Sequence, residues 1–214
     1  MPIYQLPSDL IFPPVSGAED GVVAVGGDLS VERLALAYRS GIFPWYSEDQ
    51  PIIWWSPDPR FVLKPEKLKI SKSLKQALRN HTFEITFNQD FERVIDTCRE
   101  VIRVGQESTW ITPDMKEAYI ELHKSGLAKS VEVWMGEELV GGLYGVDLGK
   151  VFCGESMFSS ISNASKIGFI TFVKEFQKGG GQLIDCQVYT EHLASLGAEE
   201  MGRTKFLDYL NTRN

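Results

Sequence analysis

Residues Val151–Val188 read VFCGESMFSSISNASKIGFITFVKEFQKGGGQLIDCQV, and this stretch divides into strand, helix and strand. Val151–Ser156 is apolar and ends in a carboxylate and a hydroxyl, Glu155 and Ser156. Asn163–Lys178 carries Phe169, Phe172, Val173 and Phe176 at helical spacing, which predicts one apolar face. Gly179–Gly181 supplies the left-handed stop that ends such a helix without strain. Gln182–Val188 then reads as a short buried strand that holds Asp185, Cys186 and Gln187. Alternation along a strand predicts Asp185 and Gln187 on the same side. A charge and an amide in a core strand are costly unless something uses them, so the chemistry belongs here.

Upstream lies an antiparallel meander: Ala128–Met135, a turn at Gly136–Glu138, Leu139–Asp147, a turn at Leu148–Gly149, and Lys150–Ser156. Helices are predicted before it at Ser71–Asn80, Asp90–Val104 and Pro113–Ser125, with short strands at Phe61–Leu63 and Phe83–Phe87. After the core stretch come helices at Glu191–Leu196 and Arg203–Leu210. Helices, meander, helix and further strand follow the order of the acetyltransferase-like (GNAT-type) fold. In that arrangement the last meander strand and the strand after the helix splay into a V, here with lips Cys153–Ser156 and Ile184–Gln187.

Residues 1–60 differ in texture, being rich in Pro, Gly and aromatics. Ser30 caps a predicted helix Val31–Ser40. Gly41–Arg60 gathers Trp45, Trp54 and Trp55, and prolines at 44, 51, 57 and 59 argue against a regular element there. The fold class is therefore α+β, with a small N-terminal domain at 1–60 and an acetyltransferase-like domain at 61–214.

At 214 residues the chain is long enough to bury a real core. No apolar run reaches the roughly 20 residues of a membrane span. The first residues lack the basic start and apolar stretch of a signal peptide. Cys98, Cys153 and Cys186 show no paired spacing, so a reducing cytoplasm is the expected location. A net charge of −7 weighs against a general nucleic-acid binder. Yet Arg60, Lys64, Lys67, Lys69, Lys72, Lys75 and Arg79 crowd one short stretch against Glu66, which suits a single docking site for a phosphate backbone.

Several chemistries fit poorly. His81, His123 and His192 are scattered, with no metal-binding spacing. No glycine-rich loop precedes a helix, and no GxSxG elbow exists. The turn before the central helix, Ser159–Ser165, lacks the glycines that acetyltransferases use to hold pyrophosphate, so the acyl donor is not expected to be a coenzyme A thioester.

FPWY (Phe43–Tyr46), WWSPDPR (Trp54–Arg60), TWIT (Thr109–Thr112), VGGLYG (Val140–Gly145), FCGESMFS (Phe152–Ser159), NASK (Asn163–Lys166), LIDCQV (Leu183–Val188) and HLASLGA (His192–Ala198) occur in order. Together they closely resemble the bacterial leucyl/phenylalanyl-tRNA–protein transferases, from about Phe12 to Leu210. The resemblance implies transfer of Leu or Phe from charged tRNA to the α-amine of proteins that begin with Arg or Lys, marking them for N-degron proteolysis. It implies no metal, coenzyme A or other cofactor, aminoacyl-tRNA being a co-substrate, and no membrane.

On that resemblance Asp185 and Gln187 are the catalytic pair, the charge of Asp185 supplying the pull on the amine and Gln187 positioning it. Glu155, with Ser156 beside it, faces the cationic first residue of the acceptor. Leu143, Phe152, Phe172, Phe176 and Ile184 form the apolar pocket for the donor's side chain. Tyr38, Trp45 and Trp110 serve the donor's terminal adenosine, and Tyr119 is a further substrate-binding residue. Lys72, Lys75 and Arg79 meet tRNA phosphates. Leu143 stands where relatives often have Met, and Gln76 and Asn80 thin the basic helix. Competing readings are an aminoacyl-tRNA-dependent peptidoglycan ligase, for which the chain is short, and a non-catalytic binder of N-terminal residues.

Overall fold

Two sheets follow from two textures of sequence, as a computed structural model that describes residues 4–101 and 109–211 makes plain. The first sheet holds β1 (Tyr4–Leu6), β2 (Val22–Gly26), β3 (Phe43–Pro44) and β4 (Ile53–Trp55), in the order β1-β2-β4-β3. Helix α1 (Val31–Arg39) bridges β2 and β3, and the Ser30 hydroxyl accepts from the Arg33 amide as its cap. The prolines of this region do not prevent regular structure, contrary to the sequence-based expectation. Pro44 sits on the edge strand β3, where a missing N–H costs no ladder bond.

The second sheet has seven strands: β5 (Arg60–Leu63), β6 (Glu84–Phe87), β7 (Ala128–Met135), β8 (Glu138–Asp147), β9 (Val151–Ser159), β10 (Leu183–Gln187) and β11 (Glu199–Met201). Their order is β11-β5-β10-β9-β8-β7-β6. Helices α2 (Lys72–Asn80), α3 (Phe91–Glu100), α4 (Pro113–Lys124), α5 (Ala164–Lys178), α6 (Glu191–Ser195) and α7 (Arg203–Asn211) connect and flank it. The meander β7-β8-β9 and the crossover through α5 to a parallel β10 are those read from the sequence. Strand β9 runs to Ser159, beyond the predicted Ser156. Helix α3 stops at Glu100, and the predicted positions 102–104 lie outside the described residues. Strand β11 was not anticipated, because three residues are too few to show a period.

Strands β9 and β10 stay paired only from Leu183↔Val151 to Asp185↔Cys153. Past that point β9 continues and β10 turns away, which opens the expected V. Gly145 on β8 shapes one wall: a Cβ there would collide with the Cys153 carbonyl oxygen and fall 2.6 Å from the Phe152 ring, so only glycine fits against them. Gly168 on α5 likewise leaves room for Val133, whose Cγ2 would be 2.6 Å from an added Cβ. One apolar cluster spans both sheets, joining Val23 and Trp54 to Val94, Phe158 and Phe206. Among the described residues no helix is long and apolar enough to cross a membrane.

On the far side of β10 lies β5, antiparallel to it, with Asp185 opposite Val62. This pairing brings Arg60 to Asp185. Both are buried, at 1% and 0% exposure. The guanidinium forks onto the carboxylate at 2.8 and 2.7 Å, and its third nitrogen reaches the Gly41 carbonyl at 3.3 Å. Its flat faces lie against Phe43 and Phe206, each 4.7 Å away. Removing one partner of a buried pair strands the other charge, so Arg60→Ala should lower stability by about 3–5 kcal/mol in urea unfolding. Replacing both partners with apolar residues of similar volume, Arg60→Met with Asp185→Leu, should restore most of that loss. A single variant within about 1 kcal/mol of the parent would contradict the account.

Candidate active site

The V between β9 and β10 holds a cavity of about 400 Å³. Gly154, Glu155, Ser156 and Met157 line one side, and Ile184 to Val188 line the other. Leu143, Phe152 and Phe169 form its apolar floor, while Phe43, Pro44, Trp45, Trp110, His192 and Leu193 complete the rim and walls. An apolar lining with a few convergent polar groups is the usual form of a small-ligand site.

The polar groups converge through a local departure from strand geometry. Between Asp185 and Gln187 the register slips, so Gln187 rather than Cys186 pairs with Phe61. Gln187 takes a left-handed conformation at φ 63°, and its amide N–H donates to Asp185 Oδ1 at 2.9 Å. Such a bulge re-aims a side chain. Simple alternation therefore does not describe these residues. Asp185 turns inward to Arg60, whereas the Gln187 side chain reaches across the V and donates to Glu155 Oε1 at 2.8 Å. Because Arg60 and the Gln187 amide take up both Asp185 oxygens, its charge is matched within the fold.

Glu155 sits at the junction. Its Oε2 accepts from the Tyr119 hydroxyl at 3.0 Å, and the Tyr38 and Tyr119 hydroxyls share a further short hydrogen bond. Burial opposes the charge of Glu155 and Asp185 repels it. Hydrogen bonds from Tyr119 and Gln187 pull the other way, with the Tyr38 hydroxyl beside Tyr119 acting in the same sense, and the balance lifts its pKa from an ordinary 4.5 to about 7. Burial and the Glu155 charge push both tyrosines well above their usual range, so they remain protonated donors. Burial also lowers His192, with Lys166 adding to the effect, which favours a neutral imidazole.

Several expected site residues do meet here: Asp185, Gln187, Glu155, Ser156, Leu143, Phe152, Ile184, Trp45 and Trp110 all border the cavity. Four do not. Tyr38 and Tyr119 are 1% and 0% exposed and touch no open space, so they offer no ring face for a base to stack on. Phe172 and Phe176 stand behind Phe152, with ring centres 4.3 and 6.1 Å from it. They line a second cavity of about 350 Å³ on the other side of that ring. The helical period gave their shared face correctly but not which side of Phe152 it meets.

Trp45 is 40% exposed at the rim, tilted on Trp55 at 5.9 Å. Lys72, Lys75 and Arg79 lie exposed on α2. Of the other basic residues in that stretch, Arg60 is buried against Asp185 and Lys67 is paired with Glu199 at 2.6 Å. Sequence reasoning missed Arg60 as Asp185's partner, since the two are 125 positions apart. Met157, Phe169, His192 and Leu193 were also missed as lining residues, although Met157, His192 and Leu193 lie inside quoted motifs. At the start of α5 the Ser165 amide donates to Ser159 Oγ at 3.1 Å, so the chain itself occupies one helix-terminal donor. Among the described residues no three His, Cys, Asp or Glu side chains are placed to hold a metal ion.

A sequence profile described as leucyl/phenylalanyl-tRNA protein transferase matches residues 62–211, and the profile of that family's N-terminal domain matches residues 27–58. The leucyl/phenylalanyl-tRNA–protein transferase of Flavobacterium johnsoniae is 56% identical over 212 residues, covering 99% of this chain and 100% of that one. The corresponding protein of Christiangramia forsetii is 61% identical over 202 residues, covering 93% and 95%. A GCN5-related N-acetyltransferase from Kribbella flavida superposes loosely, with a TM-score of 0.38 at 11% identity over 78% of this chain and 60% of that one, and adds nothing to the topology described above.

The raised pKa of Glu155 has a consequence for stability. Between about pH 4.5 and 7 the folded protein keeps a proton that the unfolded chain has released. Stability contributed by that proton is full below the lower value and is lost as pH rises through the upper one. Glu155→Gln should therefore flatten the decline of the urea midpoint across this window. An identical decline in parent and variant would show that Glu155 does not titrate there.

Proposed function

The chain belongs to the leucyl/phenylalanyl-tRNA–protein transferase family, and we propose that its cavity moves Leu or Phe from a charged tRNA to the N-terminal α-amine of proteins beginning with Arg or Lys. It is an aminoacyl-tRNA-dependent transferase; the preference for basic first residues and the marking of acceptors for N-degron proteolysis are part of this reading. So is the division into a small N-terminal domain at 1–60 and a catalytic domain at 61–214. The reaction as read needs no metal, coenzyme A or other cofactor, and runs in the cytoplasm.

One observation carries the mechanism. Two carboxylates border the apolar cavity: Asp185 is paired with Arg60, whereas Glu155 makes no salt bridge among the described residues and is held by Gln187 from across the V. The donor's Leu or Phe side chain packs against Leu143, Phe152 and Ile184, with the terminal adenosine near Trp45 and Trp110. The acceptor's α-ammonium, with a pKa of about 8, approaches Glu155. Glu155 as carboxylate takes one proton, and the neutral amine attacks the ester carbonyl. The C–N bond forms, the C–O bond to the ribose breaks, and the departing oxygen takes the second proton that the nitrogen gives up. An ester is already activated, so holding both reactants together supplies much of the acceleration. The negative charge of Glu155 also favours acceptors with a basic first side chain. Asp185 acts through structure: it fixes the bulge that aims Gln187. An activity loss in Asp185→Asn thus reports the ion pair as well as the chemistry.

The acceptor arm of the tRNA meets the exposed face of α2. Replacing Lys72 and Lys75 with Ala should lower the slope of log affinity against log salt by about 1.5, because counterion release scales with phosphates contacted. Trp45→Ala should weaken both whole tRNA and a minimal aminoacyl-adenosine donor by roughly tenfold or more, the worth of one stacked base. The reading as a whole is tested by incubating the protein with Leu-tRNA and a peptide that begins with Arg. The peptide should gain one leucyl residue, and an acetylated N-terminus should block the gain. No gain from any charged tRNA would overturn it.

A further inference from the structure

Two tyrosines border no substrate, yet their hydroxyls meet at the site. Tyr38 comes from α1, beside the first sheet, and Tyr119 from α4. The Tyr119 hydroxyl donates its one proton to Glu155 Oε2, so it has none left for Tyr38. In the bond between the two tyrosines Tyr38 must therefore be the donor, and the chain runs in one direction, Tyr38 to Tyr119 to Glu155. Both rings are buried, and Tyr119 packs edge-on against Tyr144 of β8 at 5.7 Å. Their shape alone would be served by phenylalanine. The hydroxyls need another explanation, because a buried hydroxyl costs free energy unless it is used.

We propose that Tyr119 and Tyr38 are positioning residues for aminoacyl transfer, holding Glu155 as a charged, oriented proton acceptor through a directed chain of hydrogen bonds. The proposal rests on the reading of Glu155 as that acceptor. The groups around Glu155 come from every neighbouring element. Asp185 on β10 opposes its charge, Arg60 on β5 is committed to Asp185, and Cys153 on β9 is a buried thiol held in its neutral form. Gln187 supplies a donor to one oxygen, and the tyrosine chain supplies the donor to the other. Donors to a carboxylate stabilise its charged form over its neutral one. Without the hydroxyls, the burial that makes Glu155 a competent base would keep it protonated at neutrality, when it cannot accept another proton. The chain also links catalysis to α1, which precedes the main sheet in the sequence.

The test is a pH profile of kcat/KM for leucyl transfer from Leu-tRNA to an Arg-peptide, over about pH 5.5 to 9, using the full chain. Tyr119→Phe keeps the ring and the packing. Its acidic limb should move upward by about one pH unit, as expected for loss of a hydrogen bond to a charged group. Tyr38→Phe should shift the limb in the same direction by less, since Tyr119 still donates. The acceptor amine titrates identically in every variant, so a difference between profiles belongs to the enzyme. A uniform loss of rate with the limb unmoved would reduce both tyrosines to packing and overturn the proposal. Glu155→Gln separates the two levels. If it retains the parent's rate and profile, the reading of Glu155 fails. If it loses activity while Tyr119→Phe leaves the limb in place, only the tyrosine chain fails.

Discussion

A guanidinium and a carboxylate, sealed together at the junction of two sheets, set the terms for everything around them. Arg60 is held between Phe43 of the first sheet and Phe206 of the last helix, while its fork grips Asp185 on β10. The pair thus joins four parts of the chain that are far apart in sequence. Burying two charges is expensive, and this geometry offsets the cost only because both oxygens and all three guanidinium nitrogens find partners. The arrangement also spends the charge of Asp185. What remains of that residue's influence passes to Gln187, whose backbone it holds in a left-handed turn so that the side chain crosses the V.

The second constraint is the dryness of the cavity. Phe152 packs against Gly145 and forms its floor, with Leu143, Phe169 and Ile184 around it. Those walls suit an apolar donor side chain, and the same walls make charge on Glu155 costly. Burial by itself favours the neutral form of such a carboxyl. Donors from Tyr119 and Gln187, backed by Tyr38, hold it at about 7, where a carboxylate is both available and basic enough to take a proton from an ammonium of pKa about 8. Specificity and reactivity are therefore set by one choice of lining.

Much of this was legible in the sequence, and the failures have physical reasons. The meander, α5 and β10 announced themselves through long runs of one period, and their order was enough to locate the V. Glu155, Gln187 and Asp185 stood out because polar groups interrupt apolar strands. Strand alternation then misplaced Gln187, since a one-residue bulge leaves no trace in a five-residue strand. Arg60 read as one member of a basic stretch, for nothing local says that its partner lies on a strand 125 residues later. Tyr38 was expected beside the donor's adenosine and Tyr119 among the substrate-binding residues. Burial turned them into hydrogen-bond donors, a distinction that depends on packing between α1 and α4. Phe172 and Phe176 share a helical face as read, but Phe152 stands between that face and the cavity of the V, a placement that helical spacing does not reveal.

The central claim is that Glu155 is a carboxyl group that changes charge near neutrality. Carbon-13 NMR of side-chain carboxyls, assigned with Glu155→Gln and followed through a pH titration, measures this directly. The account predicts an inflection for Glu155 at about 7, well above an ordinary 4.5. A Glu155 inflection near 4.5 would contradict it.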